Sequence, residues 1–196
     1  NLIGNICDEV ENVNADKVSK AIGADHRIGT QYLKPAIGFG GPCFPRDNKA
    51  FISFLNKHSL NSYIPKATDL TNNDQINLIL KKIKKKFKNK RIKISILGLS
   101  YKPDTAVVEE SQGIKLANKL ISKNYKIFVH DPMAIDNAKI FLNKKIKIIK
   151  SLMSNIRRTD LIIIMTPWKQ YKNNKILSLI NKLSKELLDP WSLIKK

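Results

Sequence analysis

Apolar residues recur at helical spacing in the first half of the chain and as short unbroken runs in the second, and this change of period divides it. Ile3, Ile6, Cys7 and Val10 predict a helix from Leu2 to about Val10, with Cys7 on its buried face. Val18, Ala21 and Ile22 predict a second helical piece from Ala15 to Ile22, closed by Gly23. Ala50–Leu55 reads as a buried helix, and Leu70, Ile76, Ile79, Leu80, Ile83 and Phe87 mark a long one from about Ile64 to Phe87. Lys88–Arg91 is a short charged linker. Beyond it, strands are expected at Ile92–Leu97, Lys126–His130, Ile146–Ile149, Leu161–Met165 and Leu187–Leu188. Helices near Ser111–Ser122, Ile135–Leu142, Met153–Ile156 and Ile176–Leu183 alternate with them. Continuous apolar strands separated by helices specify an open parallel sheet covered on both faces. The expectation is therefore an α/β protein, with a helical domain over residues 1–88 and an open-sheet domain over 89–196.

Composition changes this picture little. With 42% apolar residues among 196, the chain can build two small cores. A net charge of +20 points by itself to a polyanion. The lysines, however, are spread along the whole chain among Asn and Ile, as compositional bias spreads them. The densest run, Lys81–Arg91, offers only Phe87 for base stacking, so it reads as a solvated helix face with its linker. Cys7 and Cys43 make no disulfide framework, and no metal-ligand spacing accompanies them or the scattered His26, His58 and His130. No apolar run reaches the roughly 20 residues of a membrane span, and no signal peptide is visible. The expectation is a cytoplasmic protein with reduced thiols and no nucleic-acid, membrane or metal partner. Asn1 is not methionine and the chain opens inside a helix, so the sequence reads as a fragment whose beginning is missing.

The chemistry concentrates in Gly38-Phe39-Gly40-Gly41-Pro42-Cys43-Phe44-Pro45-Arg46-Asp47. Three glycines and two prolines in ten residues predict a shaped loop, because glycine costs backbone entropy and proline removes a donor. Cys43 sits in its middle. Glycines let backbone N–H groups approach a ligand, Arg46 brings a permanent positive charge that favours a thiolate, and Asp47 can order a water beside the sulfur. A second loop, Gly98-Leu99-Ser100-Tyr101-Lys102-Pro103-Asp104-Thr105, follows the first strand, where open sheets bind ligands, but it lacks G-x-G-x-x-G. Asp131 ends the second strand, the place of a ribose-binding acid in a dinucleotide fold, and is read here as a structural turn residue.

The cysteine loop, together with Asp25-His26-Arg27-Ile28-Gly29 and Tyr32-Leu33-Lys34-Pro35, closely resembles the UDP-glucose/GDP-mannose dehydrogenase family, and the resemblance runs to about Trp191. It implies a helical central domain followed by a Rossmann-like, UDP-binding sheet domain, with the N-terminal NAD-binding domain absent. It also implies a homodimer through the central helices, and NAD as cofactor. The family oxidises a nucleotide sugar twice, from alcohol to carboxylate, through a covalent cysteine. Carried onto this sequence, Cys43 is the nucleophile and Asp47 orders the hydrolytic water. Tyr32, Leu33, Lys34, Pro35 and Ala36, with Phe39 and Gly40, lie along the nucleotide sugar. Arg27 reaches a sugar-nucleotide site, in some members that of a neighbouring subunit. Tyr101 and Lys102 match the family's G-x-x-[FY]-K contact to the sugar nucleotide. Arg46 matches a basic residue at the cofactor. Glu109 stands where many members place an arginine on the NAD pyrophosphate, so that contact is in question here. The family's catalytic lysine and asparagine fall upstream of Asn1. UDP-glucose is the first expectation for substrate. UDP-N-acetyl-hexosamine, GDP-mannose and, for this chain alone, a non-catalytic UDP-sugar-binding role stay open.

Overall fold

A computed structural model describes residues 1–88 and 92–194. The expected linker therefore falls mostly outside the described residues. Four helices come first: α1 (Leu2–Glu9), α2 (Ala15–Gly23), α3 (Phe44–Lys57) and α4 (Tyr63–Lys86). The sheet half runs β1 (Lys93–Leu97), α5 (Gln112–Ile121), β2 (Lys126–His130), α6 (Ile135–Ala138), β3 (Lys147–Ile148) and α7 (Leu152–Arg158). It ends with β4 (Leu161–Ile164), a 3-10 turn at Lys169–Tyr171, α8 (Asn174–Lys182) and β5 (Glu186–Leu188). All strands are parallel, in the order β3-β2-β1-β4-β5. The α/β class and the open parallel sheet are as expected. The order reverses between β1 and β4, which makes the carboxyl end of β1 the switch point where such sheets leave a crevice.

Side chains on the two faces of the sheet enter two cores. Ile94, Ile96, Ile127 and Val129 pack under Leu116 and Leu120 of α5 and under Ile76, Ile79 and Ile83 of α4. Leu97, Ile162 and Ile164 pack against Ile156 of α7, Tyr171, and Ile176 and Ile180 of α8. The second half of α4 thus covers the sheet, while its first half packs on α3.

Three local expectations are corrected. Ile3, Ile6 and Val10 of the first helical pattern lie at the surface and Cys7 is only half-buried; the buried residue of α1 is Gly4, against Pro35. Phe51 and Phe54 of α3 are exposed, with Ile52 and Leu55 half-buried on α3, so this helix is not buried all round. Finally, α3 begins at Phe44, not near Ala50, so Arg46 and Asp47 belong to its first turn and not to a loop. Pro45 fits there because the first turn of a helix needs no backbone donor at that position.

His130, at the carboxyl end of β2, is buried with its Nδ1 2.9 Å from the Tyr171 hydroxyl. Burial pushes its pKa below the usual value, against the opposing charge of Asp131. The unfolded chain therefore binds a proton at this site near pH 6.5 while the folded chain does not, so stability falls as pH drops below about 6.5. Urea midpoints measured at pH 7.5 and 5.5 are expected to fall more in the wild type than in His130→Gln. Equal falls would count against this account.

Candidate functional site

Cys43 is the residue that caps α3 at its N-terminus; it is exposed, and it stands at the positive end of a 14-residue helix dipole. One turn on, the Arg46 Nε donates to Asp47 Oδ1 at 2.9 Å. That bond, the Asp47 charge and, more weakly, the Cys43 charge raise the Arg46 pKa further above its usual value. Both side chains of the pair are exposed.

The loop leading to Cys43 is held by groups from both halves of the molecule. The Phe39 N–H donates to Asn72 Oδ1 at 2.7 Å. The Phe39 carbonyl accepts from Asn72 Nδ2 at 3.0 Å and from Gln112 Nε2 at 2.9 Å. The Gly41 N–H donates to the Glu109 carbonyl at 2.8 Å. Glu109 therefore touches the loop through its backbone, while its carboxylate accepts from the Val108 N–H at 3.1 Å. The neighbouring Glu110 is the one paired with cations, Lys49 and Lys115, which lower its pKa, the bond from Lys115 contributing most.

The second loop meets the first. Gly98 turns at the end of β1 with φ +105°, and an added Cβ would lie 2.4 Å from the Thr166 backbone N, so no side chain fits. Behind it the buried Asp131 carboxylate accepts from the N–H groups of Leu99 and Ser100 at 2.7 and 3.1 Å. Tyr101 is thereby aimed at the cysteine loop: a Cβ at Gly41 would lie 2.6 Å from its ring. The Lys102 Nζ sits 5.5 Å from the Tyr101 ring centroid and is otherwise exposed. Tyr101 thus meets Gly40 and Gly41, and Glu109 bonds Gly41, where the two loops touch; Phe39 lies just before that contact, Cys43, Arg46 and Asp47 follow it at the head of α3, and Lys102 stands beside Tyr101.

The other sequence candidates stand differently. Lys34, Pro35 and Ala36 line a neighbouring cleft of about 250 Å³ with Asp8, Lys82 and Asp189 among its walls. Burial raises the Asp189 pKa, opposed by backbone donors and by the Lys34 charge. Asn1 ties this segment down, its Oδ1 accepting from Ala36 N at 3.0 Å and its Nδ2 donating to the Ile37 carbonyl at 2.8 Å. Leu33 is half-buried and Tyr32, 92% exposed with φ 62°, projects from the surface. Arg27 is engaged by Asp25 at 2.6 Å, which holds the Asp25 carboxyl below its usual range. Among the described residues no three His, Cys, Asp or Glu are grouped to hold a metal ion, and no helix is long and apolar enough to cross a membrane.

Asn72, Gln112 and Asn1 were not among the sequence candidates. Asn72 carried a signal: it lies four residues before Ile76 on the stripe of α4 that faces inward, and a polar residue in such a stripe needs a partner. Gly41 also makes a testable prediction. Its φ of +92° and the Tyr101 ring both exclude a Cβ, so Gly41→Ala is expected to cost about 2–4 kcal/mol in urea unfolding. Tyr101→Ala in the same chain should recover part of the loss. No recovery would place the whole cost in the backbone conformation.

Residues 1–74 match the UDP-glucose/GDP-mannose dehydrogenase family, central domain, and residues 95–195 match the same family's UDP binding domain. The UDP-glucose 6-dehydrogenase YwqF of Bacillus subtilis (strain 168) is 31% identical over 173 residues, 88% of this chain and 39% of that protein. The UDP-glucose 6-dehydrogenase of Rickettsia bellii (strain RML369-C) is 33% identical over 188 residues, 92% of this chain and 43% of that protein. Among solved structures, a UDP-glucose dehydrogenase from the archaeon Pyrobaculum islandicum superposes with a TM-score of 0.77 at 33% identity, covering 80% of this chain and 37% of its own. The chain therefore spans about 40% of the length of these relatives. With matches to its central and UDP-binding domains extending from residue 1 to residue 195, the chain belongs to the UDP-glucose/GDP-mannose dehydrogenase family.

Proposed function

We propose that this chain is the substrate-side part of an NAD-dependent nucleotide-sugar dehydrogenase, with UDP-glucose as substrate and Cys43 as nucleophile. The observation that carries the reading is the meeting of the two loops, with the Tyr101 ring against Gly41 and Lys102 beside it. A diphosphate needs an exposed cation, which Lys102 supplies, and a sugar lying from there along Phe39 and Gly40 ends at Cys43. The UDP-glucose dehydrogenase names of the relatives favour that sugar over GDP-mannose or a UDP-N-acetyl-hexosamine.

The residues present fit a cofactor in part. Arg46, exposed at a helix N-terminus, suits an anionic dinucleotide; Glu109, a carboxylate that accepts from the Val108 N–H, does not. When bound, NAD would supply the hydride acceptor for each of two oxidations. The first would turn the C6 alcohol into an aldehyde, its proton passing to a base or water. The Cys43 thiolate adds to the aldehyde carbon, and the oxygen takes a proton, giving a thiohemiacetal. The second oxidation, its hydride going to the same kind of acceptor and its hydroxyl proton to solvent, would leave a thioester on Cys43. A water ordered by Asp47 adds to it, the C–S bond breaks, the Cys43 sulfur regains a proton, the remaining proton goes to solvent and the carboxylate is released. Covalent capture keeps the aldehyde from escaping.

The test is single-turnover mass spectrometry of the full-length natural protein containing this chain, given NAD and UDP-glucose. A sugar adduct on the Cys43 peptide is expected. Absence of both adduct and NADH with any nucleotide sugar would sink the reading. This chain by itself is expected to bind UDP-glucose in calorimetry without forming NADH. We further assign the exposed Tyr63, Ile64 and Leu70 of α4 to contact with a second copy, so sedimentation should give a dimer that Leu70→Lys weakens.

A further inference from the structure

The backbone of Phe39 is gripped from two directions. Asn72, on α4, makes both of its bonds to the backbone of this one residue, accepting from its N–H and donating to its carbonyl, and Gln112, the first residue of α5, adds a third. Both side chains are closed off from water, at 7% and 4% exposure. The Gln112 Oε1 has no partner among the described residues, so the sheet half buries this amide at a cost. A hydrocarbon side chain would fill the place without that cost; what the amide supplies is a directed bond to the Phe39 carbonyl. Gly38 is shaped to the same grip, since an added Cβ would lie 2.8 Å from Asn72 Oδ1 and 3.1 Å from Gln112 Oε1.

We propose that Asn72 and Gln112 are positioning residues, a two-sided amide clamp on Phe39 that sets the cysteine loop when the sheet half is docked on α4. The inference rests on the reading of Cys43 as nucleophile. The segment from Gly38 to Pro42 has few side chains to pack, so its order must come from bonds to its backbone. Phe39 is the point at which both halves supply them, and Glu109, three residues before Gln112, adds the bond to Gly41 N. Docking of the half that carries Lys102 is thereby coupled to the placement of the sulfur. A misplacement of about 1 Å can cost on the order of 100-fold in rate.

The test uses Gln112→Met, which keeps the length of the side chain and removes the donor, in the full-length natural protein. Amide hydrogen exchange at Phe39 and Gly41 is expected to quicken about tenfold or more, with kcat down about 10- to 100-fold, the KM for UDP-glucose within about threefold and the melting temperature within a few degrees. Unchanged exchange, or quickened exchange with kcat within about twofold of wild type, overturns the proposal. If Gln112→Met does not fold, Gln112→Ser, which leaves room for a water, carries the same readouts. A wild type without turnover on any nucleotide sugar defeats the cysteine reading separately; exchange then decides the clamp by itself, quickening upholding it and no change overturning it.

Discussion

Cys43→Ser is expected to abolish NADH formation from UDP-glucose in the full-length protein, by about 1000-fold or more, and to leave no sugar adduct on the peptide that carries residue 43. A serine hydroxyl is a far weaker nucleophile than a thiolate unless a base activates it, and no histidine stands in the loop to do so. Asp47→Asn separates the two halves of the proposed chemistry. It leaves the thiol in place and removes the carboxylate that orders water, so the thioester should form and persist while steady turnover falls about 100- to 10,000-fold. The pair of variants gives opposite mass spectra, one without adduct and one enriched in it. Turnover by Cys43→Ser within about tenfold of wild type would remove the covalent mechanism. Adduct lost equally in both variants would mean that Asp47 supports the loop and not the water.

How far such a site can be read from sequence depends on whether its determinants are local. The strand Lys126–His130 is legible residue for residue, because a β-branched and aromatic run such as Ile127-Phe128-Val129 has few other uses. The two loops were located by glycine and proline punctuation, which is a local backbone property. The same punctuation hides the start of α3, since a proline in a first turn looks identical in sequence to a proline that breaks a helix. The pattern of α1 shows which face needs cover, not whether these residues supply it: Ile3, Ile6 and Val10 have the spacing of a core and lie at the surface. Asn72 and Gln112 lie 33 and 73 residues from the peptide they hold, and no local rule connects them. Nor does sequence say whether Arg27 reaches outward or, as found, turns to Asp25.

Asp131→Asn is expected to be among the most destabilising single changes in the chain, although it alters no shape. The carboxylate is 5% exposed and every group facing it is a donor. Its Oδ2 accepts from Leu99 N, Ser100 N, Ser100 Oγ and Trp168 Nε1 at 2.7 to 3.3 Å, and its Oδ1 accepts from Met133 N and Ala134 N at 2.9 and 2.7 Å. A carboxylate offers about four lone-pair sites, so none is left for a ribose hydroxyl, which fits its reading as a structural turn residue. An asparagine must point its amide nitrogen at one set or the other. One orientation strands Met133 and Ala134; the other strands Leu99, Ser100 and the Trp168 indole. At about 1–3 kcal/mol for each buried donor left without an acceptor, either choice costs about 2 kcal/mol or more, a large share of a domain's stability. Urea unfolding of this chain should show that loss, or no folded protein. If the variant folds, UDP affinity should fall with it, because the Leu99 and Ser100 bonds set the direction in which Tyr101 and Lys102 leave β1. A loss below about 1 kcal/mol would mean that water replaces the missing acceptors at the switch point, and that the crevice there is wetter than the burial of Asp131 implies.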